Sequence, residues 1–149
     1  MEPASAALFI QLGTNFIVGP NLNPEVAYFC NRRMVSHTPG CATTTEISNA
    51  EELGGEICKI FPAGELGGPA FVQALKRPVP WARVMPTGGV TPEKENVIAW
   101  IQSGVAHIGL GSKLISNKVI EAHDYQAITT NVIQVLAWVQ EARKGISPI

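Results

Sequence analysis

With 149 residues, the chain is long enough for one domain built on one hydrophobic core. At 46% hydrophobic and 15% charged residues it is apolar for its size, which suits a parallel α/β fold whose strands are buried on both faces. A net charge of −1, with only the short basic pairs Arg32-Arg33 and Lys76-Arg77, argues against an extended nucleic-acid footprint, and no run reaches the ~18 apolar residues of a membrane helix.

Met1-Glu2-Pro3-Ala4 lacks the basic start and apolar run of a signal peptide. Residues 3–13 carry a helical pattern, with Ala6, Ala7, Ile10 and Gln11 in phase and Gly13 as the stop. Phe16-Ile17-Val18 is a short strand ending at Gly19-Pro20. Asn23-Pro24-Glu25 opens a helix with a cap, a first-turn proline and an early acid. Residues 34–37 are expected as the second strand, closed by Pro39-Gly40. Thr43 and Glu46 form a capping box at the head of a helix that stops near Gly54-Gly55. Residues 56–61 form the third strand, and Gly67-Gly68-Pro69 leads into a helix over 70–76. Residues 82–85 are the fourth strand; Thr91-Pro92-Glu93 starts a helix that runs through Trp100 and Ile101 to Gly104. Residues 105–110 are the fifth strand, and Gly111-Ser112-Lys113-Leu114 begins a helical turn. In the last helix Asp124 is the cap, Ile128, Val132, Val135, Leu136 and Val139 share one apolar face, and Arg143-Lys144 with Gly145 suit its end.

The order is therefore a helix, then strands each followed by a helix. This is the signature of an α/β fold with a parallel sheet, a (β/α) barrel or a doubly wound sheet; five units alone do not close a barrel of eight.

The chemistry centres on Lys59, within Glu56-Ile57-Cys58-Lys59-Ile60-Phe61-Pro62-Ala63. Alternation puts Ile57, Lys59 and Phe61 on one face and Cys58 and Ile60 on the other. A lysine mid-strand is an edge guard against aggregation, a polar lining residue of a barrel, or a desolvated amine able to form a Schiff base with a ketone. Downstream, Thr87-Gly88-Gly89 and Gly109-Leu110-Gly111-Ser112 follow the fourth and fifth strands. Glycines there either make simple βα turns or let backbone N–H groups approach a phosphate, as the last strands of barrels do. His37, His107 and His123 have no ligand spacing, so no metal site is expected. His37 is read as a turn residue near the mouth, Cys58 as a packing thiol, and Trp81, Trp100 and Trp138 as core or subunit-contact aromatics. Cys30, Cys41 and Cys58 are too few and scattered for a disulfide framework, and are read as free thiols of a cytoplasmic protein.

Lys59-Ile60-Phe61-Pro62-Ala63, Gly67-Gly68, Met85-Pro86-Thr87-Gly88-Gly89 and Gly109-Leu110-Gly111-Ser112 resemble, in order, the 2-keto-3-deoxy-6-phosphogluconate / 4-hydroxy-2-oxoglutarate (KDPG/KHG) aldolase family. Phe16-Ile17-Val18-Gly19-Pro20 with Asn23-Pro24, and residues 36–40, resemble its middle strands. The resemblance implies a TIM (β/α)8 barrel, here a single domain over residues 1–149 carrying about five parallel strands, and a homo-oligomer, the family trimer. It implies a lyase of the class I aldolase type, with no metal and no cofactor, cleaving a keto-deoxy sugar acid to pyruvate and a phosphorylated aldehyde or glyoxylate. Lys59 matches the Schiff-base lysine, Phe61 the aromatic beside it, and Pro20 a proline of the pyruvate pocket. Thr87, Gly88, Gly89, Gly109, Gly111 and Ser112 match the positions holding the carboxylate and phosphate ends.

Three earlier βα units of the family have no counterpart, and with them its acid/base glutamate, a term worth about 10²–10⁴ in rate. Glu65, on the loop after the lysine strand, is read as a solvated acid, and Glu46 as a cap. The expectation is a C-terminal portion with open edges at residues 16–18 and 105–110 that associates to cover them. The alternatives are a catalytically impaired phosphate-binding or assembly fragment, or another phosphate-binding barrel enzyme such as an epimerase or isomerase, which needs no imine lysine.

Overall fold

The strands are joined through a proline at which one extended path changes neighbours. In the computed structural model, which describes residues 2–144, β1 (Phe16–Val18) pairs in parallel with β2 (Ser36–Thr38). A second parallel set has the order β3 (Gly40–Cys41), β4 (Cys58–Ile60), β5 (Val84–Pro86). β2 and β3 are one path interrupted at Pro39. Its first half bonds to β1 and its continuation, with Gly19 N–H donating to the Thr38 carbonyl at 3.1 Å. Its second half bonds to β4, through Lys59 N–H to the Pro39 carbonyl (2.8 Å) and Phe61 N–H to the Cys41 carbonyl (3.2 Å). Proline has no N–H to give a ladder, and here it sits at the changeover, where none is required.

Helices α1 (Pro3–Gln11), α2 (Pro24–Arg32), α3 (Thr44–Glu52), α4 (Gly68–Lys76), α5 (Lys94–Gln102) and α7 (Tyr125–Arg143) contribute buried residues to the cores, while the short α6 (Asn117–Glu121) buries none and packs on α7. Their starts follow the sequence. Asn23 Oδ1 accepts from Glu25 N–H at 3.0 Å, Asp124 Oδ1 from Ala127 N–H at 2.9 Å, and Thr43 with Glu46 completes the capping box. Gly145, expected at the end of α7, lies outside the described residues.

Several strand bounds differ from expectation. Residue 34 is not in the second strand: Met34 is left-handed (φ 54°) and almost fully exposed, so pairing begins at Ser36, and Pro39-Gly40 continues the path rather than closing it. Glu56 and Ile57 form a bend before β4, and β5 starts at Val84 rather than Ala82. Residues 105–110 do not form a strand; they run beside β5 with a single bridge, Thr87 to Gly109. Ala106 and Gly109 N–H donate to the carbonyls of Val84 (3.0 Å) and Pro86 (2.9 Å), on one side only. The short α6 had no sequence signal singled out for it.

The larger core fills the space between β3–β5 and helices α3, α4, α5 and α7, around Ile47, Ile60, Val72, Val84 and the fully buried Trp100. A smaller one joins Ala6, Ile17, Val26 and Cys30 under α1 and α2. Lys76, at the end of α4, donates to the carbonyls of Pro80 (2.5 Å) and Ala82 (2.9 Å) and so fastens the approach to β5.

Two stability predictions follow from these contacts. A Cβ on Gly40 would run into the carbonyl of Pro20, so Gly40→Ala is expected to destabilise by roughly 1–3 kcal/mol or more in a denaturant titration. Hydrogen bonds from Ala42 N–H, Thr43 Oγ1 and Thr43 N–H hold the Glu46 carboxyl below the usual glutamate range. A depressed carboxyl stabilises the fold above the unfolded residue's pKa and ceases to do so as pH falls through the folded one. The stability gap between the native chain and Glu46→Gln is therefore expected to shrink on acidification below that range, read from melting temperatures across pH.

Candidate active site

Alternation divides the sheet into two faces. Cys58, Ile60, Val84 and Pro86 are buried against the helices, whereas Lys59 and its register partner Met85 are half-buried on the opposite, concave face. Gly40, the other partner of Lys59, continues that face. The Lys59 ammonium nitrogen lies 4.4 Å from the centre of the Phe61 ring, which is 40% exposed. Partial burial moves the Lys59 pKa below its ordinary value, because the charged form loses hydration. The ring opposes this in part, since its face favours a cation.

The loop after β4 is sewn to the loop after β5. Ala63 and Gly64 N–H donate to the carbonyls of Thr87 and Gly88, each at 3.0 Å, and Thr87 N–H donates back to the Ile60 carbonyl at 2.9 Å. Gly64 and Gly89 touch backbone to backbone: a Cβ on Gly89 would sit 2.6 Å from the Gly64 Cα. Gly88 and Gly89 are both left-handed, at φ 80°, a region glycine enters without strain. From the helix side, Asn96 Nδ2 and Trp100 Nε1 both donate to the Gly89 carbonyl at 3.4 Å. With its carbonyl held back, Gly89 is fixed in the turn. Gly109 lies against Thr87 so closely that a Cβ would meet Thr87 Oγ1 at 2.6 Å.

Lys59, Phe61, Thr87, Gly88, Gly89 and Gly109 thus stand together at the C-terminal ends of parallel strands, where barrel enzymes work. Pro20 is exposed at the same end and packs on Gly40. Gly111 and Ser112 lie further on, in an exposed turn; a Cβ on Gly111 would meet open space, so packing does not require glycine there. Glu65 is exposed.

His37 is not a turn residue. It is buried in β2, on the face of its partner Ile17, and burial lowers its pKa, keeping it neutral. Cys41 and Cys58 lie behind the sheet; a hydrogen bond with Cys58, and burial, hold the Cys41 thiol protonated. Trp100 is core, and Trp81 is exposed. Among the described residues no group of three metal-ligating side chains is assembled. Sequence reasoning missed Met85 beside Lys59 and the Asn96–Trp100 pair; the four-residue spacing of that pair at the start of α5 was its only trace.

The comparisons with known proteins agree with this fold. The family model "KDPG and KHG aldolase" matches residues 1–131. The chain is 40% identical over 119 residues to the 2-dehydro-3-deoxy-6-phosphogalactonate aldolase of Escherichia coli K12, covering 76% of this chain and 55% of that protein. It is 36% identical over 124 residues to the 2-dehydro-3-deoxy-phosphogluconate aldolase of Treponema pallidum, covering 83% and 58%. Among solved structures, one described as native KDPGal superposes with a TM-score of 0.82 at 34% identity, over 97% of this chain and 67% of that one. A Legionella pneumophila KDPG aldolase, solved with pyruvate as a covalent carbinolamine, shares the fold with a TM-score of 0.82 at 24% identity, over 91% and 65%. The chain therefore spans little more than half the length of the curated relatives it matches. Its half-buried lysine, its glycine seam and the family match over residues 1–131 lead to one conclusion: the chain belongs to the KDPG and KHG aldolase family.

Proposed function

We propose that this chain carries the imine-forming half of a class I aldolase acting on 2-keto-3-deoxy-6-phosphogluconate, its galactonate isomer, or 4-hydroxy-2-oxoglutarate. The observation that carries the reading is the Lys59 amine, on the concave face, partly stripped of water and 4.4 Å from the Phe61 ring. In its neutral form the amine adds to the C2 ketone to give a carbinolamine, which loses water to give an iminium. Cleavage of C3–C4 sends its electron pair into the iminium as the C4 hydroxyl gives up its proton to a solvent water, so the aldehyde leaves and an enamine remains. Protonation at C3 and hydrolysis by water return pyruvate and the free amine. Pro20 and Phe61 wall the pyruvate end; Thr87 and the N–H groups of Gly88 and Gly89 receive the carboxylate, and Gly109, Gly111 and Ser112 the phosphate.

The names of the relatives support a keto-deoxy acid as substrate, and the three free cysteines suit a cytoplasmic protein. A homo-oligomer is supported by the likeness to a cage subunit described as fused symmetric oligomeric domains (TM-score 0.83, 33% identity), the trimer being what the family resemblance implies.

Borohydride reduction in the presence of labelled pyruvate is expected to fix label on Lys59, located by peptide mass mapping, and not on Lys59→Arg; a folded native chain that takes up no label at this residue would defeat the assignment. Because its pKa is lowered, the amine is neutral at a lower pH than a solvated lysine. The capture rate is thus expected to rise with pH and level off before the ordinary lysine range. A midpoint at the value of a free lysine would remove burial as the activating cause. Ser112→Ala is expected to weaken binding of the phosphorylated aldehyde by roughly tenfold, the loss of one hydrogen bond to a charged group, measured by calorimetry.

A further inference from the structure

Lys59 has two register partners, Gly40 on β3 and Met85 on β5. Adjacent strands lie about 4.8 Å apart, so a side chain at either position stands beside the lysine stem on the concave face. Gly40 brings none, and has no room for one, because a Cβ there would run into the Pro20 carbonyl. Of the two partners, Met85 alone can cover the lysine from the side. Met85 is half-buried, yet it belongs to neither core; the packed residues of β5 are its neighbours Val84 and Pro86. Core packing therefore does not account for a long apolar side chain at this position. Phe61 covers the amine differently. Its ring lies 4.4 Å from the Lys59 nitrogen and favours the cation, which works against attack on a ketone. A thioether offers the ammonium only a weak acceptor, and its apolar stem excludes water from that flank.

We propose that Met85 is a positioning residue: its side chain closes the β5 flank of Lys59, keeps water off the amine there, and so favours the neutral form that attacks a ketone. Its part in a reaction rests on the imine chemistry proposed for Lys59. The direction agrees with burial as the cause that lowers the Lys59 pKa. Charges on the surrounding elements do not supply this effect. β3 presents Gly40 and β5 presents Met85. On the packed face behind Lys59, the thiols of Cys41 and Cys58 and the α3 carboxylates Glu46 and Glu51 act on one another rather than on the amine. Glu65, on the loop after β4, is exposed, and the one ion pair among the described residues joins Lys94 to Glu141. The segment beyond β5 carries His107, whose pKa is lowered by burial and then by Arg143 and Arg83, so it is neutral over the range in which amines titrate.

The test reads the amine without any substrate. The 149-residue chain and its variants are acetylated with trace acetic anhydride across pH, and incorporation at Lys59 is measured by peptide mass mapping against the exposed Lys118. Met85→Gln keeps the length of the side chain but brings polar atoms and water to the flank. Its Lys59 profile is expected to move to higher pH, with incorporation below the plateau falling roughly threefold while the plateau itself does not fall. Met85→Leu keeps the flank apolar and is expected to follow the native profile. Melting temperatures are expected to be retained, since Met85 belongs to neither core. Should Met85→Gln unfold, Met85→Ala opens the same flank and is expected to give the same displacement. A Gln or Ala profile that coincides with the native one, or a Leu profile displaced as far as theirs, would overturn the proposal. Borohydride capture of pyruvate is a separate arm. Profiles that respond to residue 85 in a folded chain that takes up no pyruvate uphold the shield and overturn the imine reading. Pyruvate label on Lys59, with profiles indifferent to residue 85, upholds the imine and overturns the shield.

Discussion

At Gly64 and Gly89 two backbones meet with no side chain between them, and this contact sets the geometry at the mouth of the sheet. It lets the loop after β4 donate two N–H···O bonds at 3.0 Å to the loop after β5, from Ala63 to Thr87 and from Gly64 to Gly88. Any Cβ there forces the loops apart, because what it meets is main chain and cannot rotate aside. The helix side closes the clamp. Asn96 and Trp100 share the Gly89 carbonyl, so a residue of the buried core and a residue of the rim hold the same atom. Packing and site geometry are therefore not separable in this chain.

Lys59 illustrates how one strand serves two solvents. Its neighbours Cys58 and Ile60 are fully packed against helices, and the main chain between them is bonded on both sides. The lysine is thereby fixed in direction by its main chain rather than by a hydrogen bond from its own ammonium to any of the described residues. Desolvation favours the neutral amine, while the Phe61 ring favours the cation, and burial sets the net direction.

Much of this was legible in the sequence because it is local. The caps at Asn23, Thr43 and Asp124 lie within a few residues of their acceptors and donors, so their helices could be read from spacing alone. The direction of Lys59 could be read from alternation, which needs only that residues 58–60 be extended. Strand lengths were less legible, because a strand ends where its neighbour does. Residues 36–41 change partners at Pro39, and residues 105–110 bond on one side only, and neither fact is written in their own side chains. His37 read as a turn residue because Pro39-Gly40 looks like a stop; that glycine is there instead to admit the Pro20 backbone, a contact between segments twenty residues apart. The Asn96–Trp100 clamp was hidden for the same reason, since its acceptor is a main-chain carbonyl in another loop.

Lys76 offers the instructive contrast. Its pKa is also lowered, by burial, with Glu51 pulling the other way. Yet its nitrogen is spent on the carbonyls of Pro80 and Ala82, which accept hydrogens and hold the ammonium in place. To attack a ketone it would have to abandon both acceptors and loosen the lead into β5. Two amines with pKa values displaced in the same direction are thus held differently: one is riveted to two carbonyls, whereas the other has no such acceptor among the described residues, the difference that the role proposed for Lys59 requires.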